Sequence, residues 1–301
     1  MNQSLPNLII AGVTKAGTTS LYTYLAAHPD VCSSSIKEVA YFLPLRWGQV
    51  LAPLSDYSRY FTHCERSRFI MEASASYFFG AEAVSSKIHE ILTGARVIVV
   101  FRDPVARLYS FFNYHQNMLN IDSEMTFTDY IKKCESFTEH DFKKKENYYY
   151  YGMRNGRYVS FIEPWIKYFG NDINFYFFEE LKSDQRLFLK EICSWLQIDD
   201  SFYDDYEFVI ENKTRNYKLK GLQKIALTIN MKCEKIFRKH LYLKRFLRNF
   251  YYALNEGSKS SIKMTEEERV YLQEYYRPYN QKLRDILQNH GIKRLPSWLT
   301  D

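Results

Sequence analysis

The sequence predicts an α/β fold of three layers, in which helices cover both faces of a central parallel sheet. A short apolar run, Leu8 to Ala11, leads through a glycine-bounded loop into a helix predicted over residues 19–27. A second run, Arg96 to Phe101, is rich in β-branched residues, as expected of a central parallel strand buried on both faces. Predicted strands and helices alternate along the chain, which is typical of sheets that bind ligands at the carboxyl ends of their strands.

The remaining elements continue this alternation. Further strands are predicted at residues 69–72 and 173–178, and further helices at 82–92, 158–169 and 185–196. Asp103 and Pro104 suit the N-cap and the first position of the helix after the 96–101 strand. Residues 122–151 are polar and rich in lysine and glutamate, so we predict a mobile helical insert with a weak core pattern. We expect a single domain over residues 1–301, with a helical C-terminal part around 219–301.

Composition and charge limit the classes of function. The chain carries 41 basic and 35 acidic side chains, and its net charge of +6 is too small and too dispersed to favour nucleic acid. The five cysteines are widely spaced and form no C-x-x-C motif, so we expect reduced thiols and no metal. No signal-peptide pattern is present, and no apolar run approaches the ~18 residues of a membrane span, so the predicted location is cytoplasmic.

The loop after the first strand has the spacing of a nucleotide-binding P-loop, with one departure. Gly12 and Gly17 fit the pattern G-x-x-x-x-G-K-[ST], but Thr18 stands where the lysine belongs, and the cation lies inside the loop at Lys15. Backbone N–H groups of such a loop, with those of the helix behind it, form a cradle for phosphate or sulfate. The alternative is a tight strand-to-helix turn with a surface lysine.

Two separated motifs resemble those of sulfotransferases that use 3′-phosphoadenosine 5′-phosphosulfate (PAPS). The run K-A-G-T-T-S-L from Lys15 is similar to the family's 5′-phosphosulfate loop. Residues 97–110, V-I-V-V-F-R-D-P-V-A-R-L-Y-S, resemble its 3′-phosphate segment, which implies phosphate contacts from Arg102 and Ser110. An arginine at a strand end beside a helix N-terminus is also well placed to hold an anion on physical grounds. The alternative is an ordinary ion pair with Asp103 or a surface acid.

A third motif carries the candidate base. Lys37 and Glu38 resemble the K-E pair of the carbohydrate (heparan-sulfate-type) branch, in which the glutamate is the catalytic base. A lone glutamate is normally a solvated side chain, but its position after the first helix matches the family. His115 is the next candidate, although a helix histidine is more often a packing or surface residue.

Weaker matches extend the resemblance over almost the whole chain. Glu72 to Tyr77 is similar to an E-x-S-P-x-Y stretch with alanine in place of proline, and a G-x-Y then W pattern indicates packing more than chemistry. Residues 265–287, followed by Trp298, resemble the family's closing helix and tryptophan. The family's K-G-R loop over the nucleotide has no clean counterpart; the chain offers Lys213-Thr214-Arg215 and Lys220-Gly221, and Arg215 is the candidate contact there.

The resemblance implies transfer of a sulfuryl group from PAPS to a hydroxyl or amine, with a carbohydrate or glycolipid as acceptor. Glu38 would be the general base, and Lys15 would neutralise charge on the departing phosphate. No metal is required. The implied nucleotide contacts are Thr14, Lys15, Ala16, Gly17, Thr18, Thr19, Ser20, Arg102, Ser110 and Arg215. A P-loop kinase and a non-catalytic nucleotide- or glycan-binding protein are the alternatives.

Residues 231–252 interleave basic side chains with aromatic and aliphatic ones at helical spacing. This pattern is shared by helices that lie at anionic membrane surfaces, so peripheral membrane contact is one prediction. The alternative is a helix packed on the domain with its lysines in water.

Overall fold

A computed structural model describes residues 4–65, 67–208 and 263–300. Five parallel strands form one sheet in the order β2-β3-β1-β4-β5. The strands are β1 Leu8–Gly12, β2 Val31–Ser33, β3 Phe69–Ala73, β4 Arg96–Phe101 and β5 Ile173–Phe177. Successive strand residues point to opposite faces, and every residue of β1 is buried, so both faces of the sheet are covered. The predicted α/β fold with a parallel sheet is confirmed.

Helices follow most of the strands. The α-helices are α1 Thr18–Ala26, α2 Leu54–Ser58, α3 Ala81–Ile91, α4 Pro104–Asn117, α5 Phe127–Glu135, α6 Val159–Phe169, α7 Phe178–Ser183, α8 Gln185–Leu196, α9 Glu266–Asn289 and α10 Ser297–Thr300. Short 3₁₀ segments occupy Leu43–Trp47, Tyr77–Gly80, Asp141–Lys143, Lys145–Tyr150, Arg154–Gly156, Gly170–Asp172 and Ser201–Tyr203. The helix predicted at 185–196 has the predicted bounds, and the others differ from prediction by a few residues at their ends.

The turn between β4 and α4 forms as the sequence predicts. The Asp103 carboxylate accepts hydrogen bonds from the backbone N–H groups of Val105 and Ala106 at 3.0 and 3.4 Å, and Pro104 opens the helix. The N-cap stabilises a helix start whose first N–H groups have no partner inside the helix. This fixes the direction in which the chain leaves β4, directly after Arg102.

Strand β2 is not among the predicted strands, since the next strand predicted after the first helix is at residues 69–72. That strand is β3, and β2 lies outside it as an edge strand of only three residues. A run as short as Val31–Ser33, with cysteine and serine in it, has no periodicity to distinguish it from a loop. The strand nevertheless sets the path of the segment that carries Glu38.

The expected weak packing of the 122–151 insert is wrong. Helix α5 buries Phe127, Tyr130, Ile131 and Cys134, which lie at the i, i+3, i+4 and i+7 positions of one helix face. They join side chains of α4 and α9 in a second hydrophobic cluster beside the sheet. The segment's many charged residues obscured this face in the sequence.

The expectation of reduced cysteines is also wrong for one pair. Cys32 and Cys64 form a disulfide with their Cα atoms 5.6 Å apart, although 32 residues separate them in sequence. Spacing alone could not reveal this pairing, since the fold brings β2 beside the turn after α2. Disulfides are typical of oxidising compartments, so cysteine usage no longer supports the cytoplasmic location, which stays a prediction.

Reduction of this disulfide is expected to lower the free energy of unfolding by about 2–4 kcal/mol, because the cross-link restricts the unfolded chain. Thermal denaturation with and without dithiothreitol measures the effect. The double variant Cys32→Ser/Cys64→Ser should unfold at the temperature of the reduced natural chain, and dithiothreitol should not change that temperature. Equal transitions of the natural chain in both conditions would mean that the pair does not stabilise it.

Several predicted features lie outside the described residues: Arg215, the 231–252 segment and Cys233. The part of the predicted C-terminal helical region that is described, residues 263–300, is mainly helical. Within the described ranges, no helix combines the length and the apolar character needed to cross a membrane.

Candidate active site

The loop between β1 and α1 makes a tight turn at the carboxyl end of the central strand. Gly17 has φ 79°, and a Cβ added there would lie 2.8 Å from Leu181 and 2.9 Å from Phe178, so only glycine fits without a shift. Lys15 also has a left-handed backbone, with φ 71°. The Thr14 hydroxyl oxygen is buried and has no hydrogen-bond partner. A loop with an unsatisfied hydroxyl next to a helix N-terminus suits an anionic ligand.

The Lys15 ammonium group is largely withdrawn from water. Its Nζ lies 4.3 Å from the centre of the Tyr114 ring, a cation–π contact. Burial, together with the positive charge of Arg102, lowers the pKa of Lys15 to about 8. Within the described ranges no carboxylate forms an ion pair with Lys15.

Arg102 follows β4 and faces the same loop. Its Nη1 donates to the Lys15 carbonyl oxygen at 2.9 Å, and its guanidinium lies 4.5 Å from the centre of the Phe178 ring. The Tyr158 hydroxyl donates to the Arg102 carbonyl oxygen at 2.8 Å and so helps to fix the backbone of Arg102. Burial lowers the pKa of Arg102. The alternative of an ordinary ion pair with Asp103 is not formed in the described structure.

Ser110, the second predicted 3′-phosphate contact, lies two turns into α4 and is half-buried. In the described structure it makes no direct hydrogen bond to Arg102. Helix α4 begins directly after Asp103, so the serine and the arginine belong to one strand–turn–helix unit at the edge of the sheet. Its predicted role in phosphate binding stays a prediction.

Glu38 lies beside the end of β3. Its backbone N–H donates to the Ala73 carbonyl at 3.0 Å, and its Oε2 accepts a hydrogen bond from the Ala75 backbone N–H at 3.2 Å. The Lys37 ammonium donates to Oε1 at 2.6 Å, and the Glu38 side chain remains 45% exposed. Lys15, Glu38 and Arg102 therefore all lie where the neighbouring strands β1, β3 and β4 end, which is where parallel α/β sheets bind ligands.

A buried carboxylate beneath this segment was not given a role from the sequence. Glu72 is fully buried on β3 and accepts hydrogen bonds from the hydroxyls of Tyr57, Ser74 and Tyr77 at 2.6, 2.5 and 3.0 Å. Burial raises the pKa of Glu72, although these hydroxyls oppose the shift. The sequence signal was present, because a glutamate inside an apolar strand must find buried partners.

The same hydroxyls hold the chain that follows Glu38. Ser74 Oγ accepts from the Ala40 backbone N–H at 2.9 Å, and the Tyr77 hydroxyl accepts from the Phe42 N–H at 3.2 Å. Both backbone groups come within four residues of Glu38. The network therefore positions the candidate base through the backbone and does not contact its carboxylate.

Tyr114 contacts the lysine and is not among the site residues that the sequence predicts. The Lys15 ammonium lies over its ring. The pKa of Tyr114 is raised, mainly by burial and to a smaller extent by electrostatic interaction with Tyr148 and Glu38. Tyr114 lies one turn after Ser110 on α4, so a search for other residues on this helix face could have found it.

His115, the second candidate base, is poorly suited to that role. Its side chain is buried, and Asn120 Nδ2 donates to His115 Nδ1 at 2.9 Å. Burial, with a smaller contribution from Lys15, lowers the pKa of His115 to about 4. A ring that resists protonation near neutral pH is a weak proton acceptor.

Affinity for an anion at this site is expected to fall above pH 8. Lys15 has a pKa of about 8, so it loses its proton at higher pH and no longer attracts a phosphate. Calorimetric titration with 3′-phosphoadenosine 5′-phosphate (PAP) from pH 7 to 10 should give a nearly constant Kd up to about 8 and weaker binding beyond. Lys15→Arg keeps its charge and should remove this break. A break that persists in this variant would assign it to another group.

Comparisons with known proteins show the family to which the chain is similar. The sulfotransferase domain family matches residues 5–285. A bifunctional heparan sulfate N-deacetylase/N-sulfotransferase of Drosophila melanogaster is 26% identical over 99% of the chain and 27% of its own length. A mouse heparan sulfate glucosamine 3-O-sulfotransferase 3B1 is 27% identical over 70% of the chain and 51% of its own length. The chain thus spans about a quarter to a half of these relatives.

A solved structure supports the same assignment of fold. The sulfotransferase from Alicyclobacillus acidocaldarius superimposes with a TM-score of 0.68 at 18% identity, covering 98% of this chain and 99% of that one. At this identity the likeness shows the fold alone. The match to the family extends over most of the sequence and includes every predicted site residue. The chain therefore belongs to the sulfotransferase domain family.

Proposed function

We propose that the protein transfers a sulfuryl group from PAPS to a hydroxyl or amine of an acceptor, most simply a carbohydrate. The observation that carries this proposal is that Lys15 and Arg102, both largely withdrawn from water, meet at the same loop, and neither forms an ion pair with a carboxylate in the described structure. Desolvation of two cations that form no ion pair is unfavourable, and an anionic substrate would compensate both. The relatives, named as heparan sulfate sulfotransferases, support a carbohydrate acceptor.

Each site residue has a role in this reaction. Lys15 and the backbone N–H groups after Gly17 hold the 5′-phosphosulfate end, and Arg102 with Ser110 holds the 3′-phosphate. Arg215, outside the described residues, remains a candidate contact. Glu38 takes the proton of the acceptor as the acceptor atom bonds to sulfur. The bond from sulfur to the phosphate oxygen breaks, and PAP leaves with the electron pair, its charge opposed by Lys15.

The P-loop kinase alternative is not supported by this site. Such a kinase places lysine after the second glycine of the loop and holds Mg²⁺ with an acidic side chain at a strand end. Thr18 occupies the lysine position here. Glu72, the acidic residue of the neighbouring strand β3, is buried and accepts hydrogen bonds from three hydroxyls.

Nucleotide selectivity tests the proposal. PAP should bind much more tightly than 5′-AMP, because only PAP places a phosphate on Arg102 and Ser110; losing a charged partner typically costs about 2–5 kcal/mol. Calorimetry in the presence of EDTA measures both affinities and any dependence on metal. Equal affinities, or PAP binding only when Mg²⁺ is supplied, would contradict the assignment.

A further inference from the structure

A cleft of about 550 Å³ is lined by residues that follow Glu38 and Ala75 in the chain and by residues of the 122–151 insert. Its lining residues include Trp47, Ser76, Lys145, Glu146, Tyr148 and Tyr149. Three of these six residues are aromatic, and the tyrosines come from the run of four that ends the 122–151 insert. The wall of the cleft is therefore built from a 3₁₀ segment after Glu38, from the turn after β3 and from the insert.

One residue of the cleft wall lies close to the candidate base. Ser76 in its wall is the neighbour of Ala75, whose backbone N–H donates to Glu38 Oε2 at 3.2 Å. The Tyr148 hydroxyl lies 3.4 Å from Ser76 Oγ, which joins the insert to this wall. An acceptor whose reacting hydroxyl faces Glu38 thus has space for the rest of the molecule in the cleft.

The charges of the cleft do not fit a polyanion. Among its described lining residues, Lys145 is the only cation, and the carboxylate of Glu146 follows it directly in sequence. A densely sulfated chain needs several cations along its path. Aromatic rings instead suit the apolar C–H face of a sugar ring, while hydroxyls at the sugar's edge meet the polar side chains of the rim.

A buried guanidinium fixes two of the rings from outside the cleft. The centre of the Arg46 guanidinium lies 4.9 Å from the Trp47 ring and 5.8 Å from the Tyr148 ring. Its Nη2 donates to Asn155 Oδ1 at 3.4 Å, and in the described structure no carboxylate pairs with it. Rings held in place before a ligand arrives lose less entropy on binding.

We propose that this cleft is the acceptor subsite, and that it takes a neutral saccharide ring stacked on Trp47, Tyr148 and Tyr149. The inference rests on the proposed sulfotransferase function and deepens it. It sets this chain apart from its heparan-sulfate-named relatives in the class of acceptor.

Two measurements on the full chain test the subsite. The first is transfer of ³⁵S from labelled PAPS to neutral oligosaccharides of glucose, galactose, mannose and N-acetylglucosamine, and to N-desulfated heparin. The second is saturation-transfer NMR of the same sugars with PAP present, which detects binding without turnover. We expect kcat/KM for at least one neutral sugar to be about tenfold higher than kcat/KM for N-desulfated heparin. Trp47→Leu and Tyr149→Leu should each raise its KM about tenfold, with kcat changed less than threefold.

Controls separate stacking from general damage. Trp47→Phe and Tyr149→Phe keep a ring and should retain most of the affinity, and Tyr271→Leu, an exposed tyrosine on α9, should change nothing. Preference for N-desulfated heparin, or an unchanged KM in both leucine variants, would overturn the subsite while leaving the sulfotransferase function intact. Sugar binding that depends on Trp47 without any transfer would instead support the subsite and contradict the function. If neutral sugars are neither bound nor sulfated, the proposed subsite is wrong.

Discussion

Glu38→Gln is expected to lower turnover by roughly 10²–10⁴-fold, because glutamine keeps the shape of the side chain and removes the proton acceptor. The hydrogen bond from the Ala75 N–H to the side-chain oxygen can persist in this variant, so the loop should keep its path. PAP affinity should stay near that of the natural protein, since Glu38 holds no phosphate in the proposed mechanism. Steady-state transfer from labelled PAPS and calorimetry with PAP measure the two quantities.

Glu90→Gln is a matched control for this variant. Glu90 is an exposed carboxylate that pairs with Lys87 at 2.5 Å, much as Glu38 pairs with Lys37 at 2.6 Å. It lies on α3 and has no role in the mechanism, so turnover should not change. Full activity in Glu38→Gln would mean that the base is elsewhere. The same assay tests the alternative of a non-catalytic binding protein, because such a protein would show no turnover even in the natural chain.

The elements that the sequence predicted well are those with strong local signals. Strand β4 is rich in β-branched residues, and the Asp103–Pro104 cap is a local chemical pattern. Lys15 was singled out by its displacement from the P-loop pattern, and the structure places it, desolvated, beside Arg102. Signals of this kind are contained within a few consecutive residues, so they need no knowledge of the fold.

The features that the sequence did not reveal depend on residues distant in the chain. The disulfide joins positions 32 residues apart, and the Glu72 network adds Tyr57, which lies 15 residues earlier in the chain, to the nearby Ser74 and Tyr77. Tyr114 acquires its role because α4 passes over the loop at Lys15. Such contacts follow from tertiary packing, and spacing along the sequence does not determine them.

Replacing Lys15 with methionine is expected to impair both nucleotide binding and turnover. The lysine opposes the charge of the bound phosphosulfate and, more strongly, the charge that develops on the departing phosphate. PAP binding should weaken by about 2–5 kcal/mol, the usual effect of removing one partner of a close charge pair. Turnover at saturating PAPS should fall a further 10²–10³-fold, roughly the effect of losing one group that stabilises developing charge.

Thermal stability distinguishes this functional loss from misfolding. In the protein without nucleotide, Lys15 is desolvated beside Arg102, and both effects lower its pKa to about 8. Methionine has a similar length and no charge, so removing this unpaired cation should leave the melting temperature unchanged or raise it. Lys190→Met, which removes a surface lysine paired with Asp204 at 2.6 Å, is the control and should bind PAP normally. Unchanged PAP affinity in Lys15→Met would contradict the proposed role, because that role requires the Lys15 charge to contact the bound nucleotide.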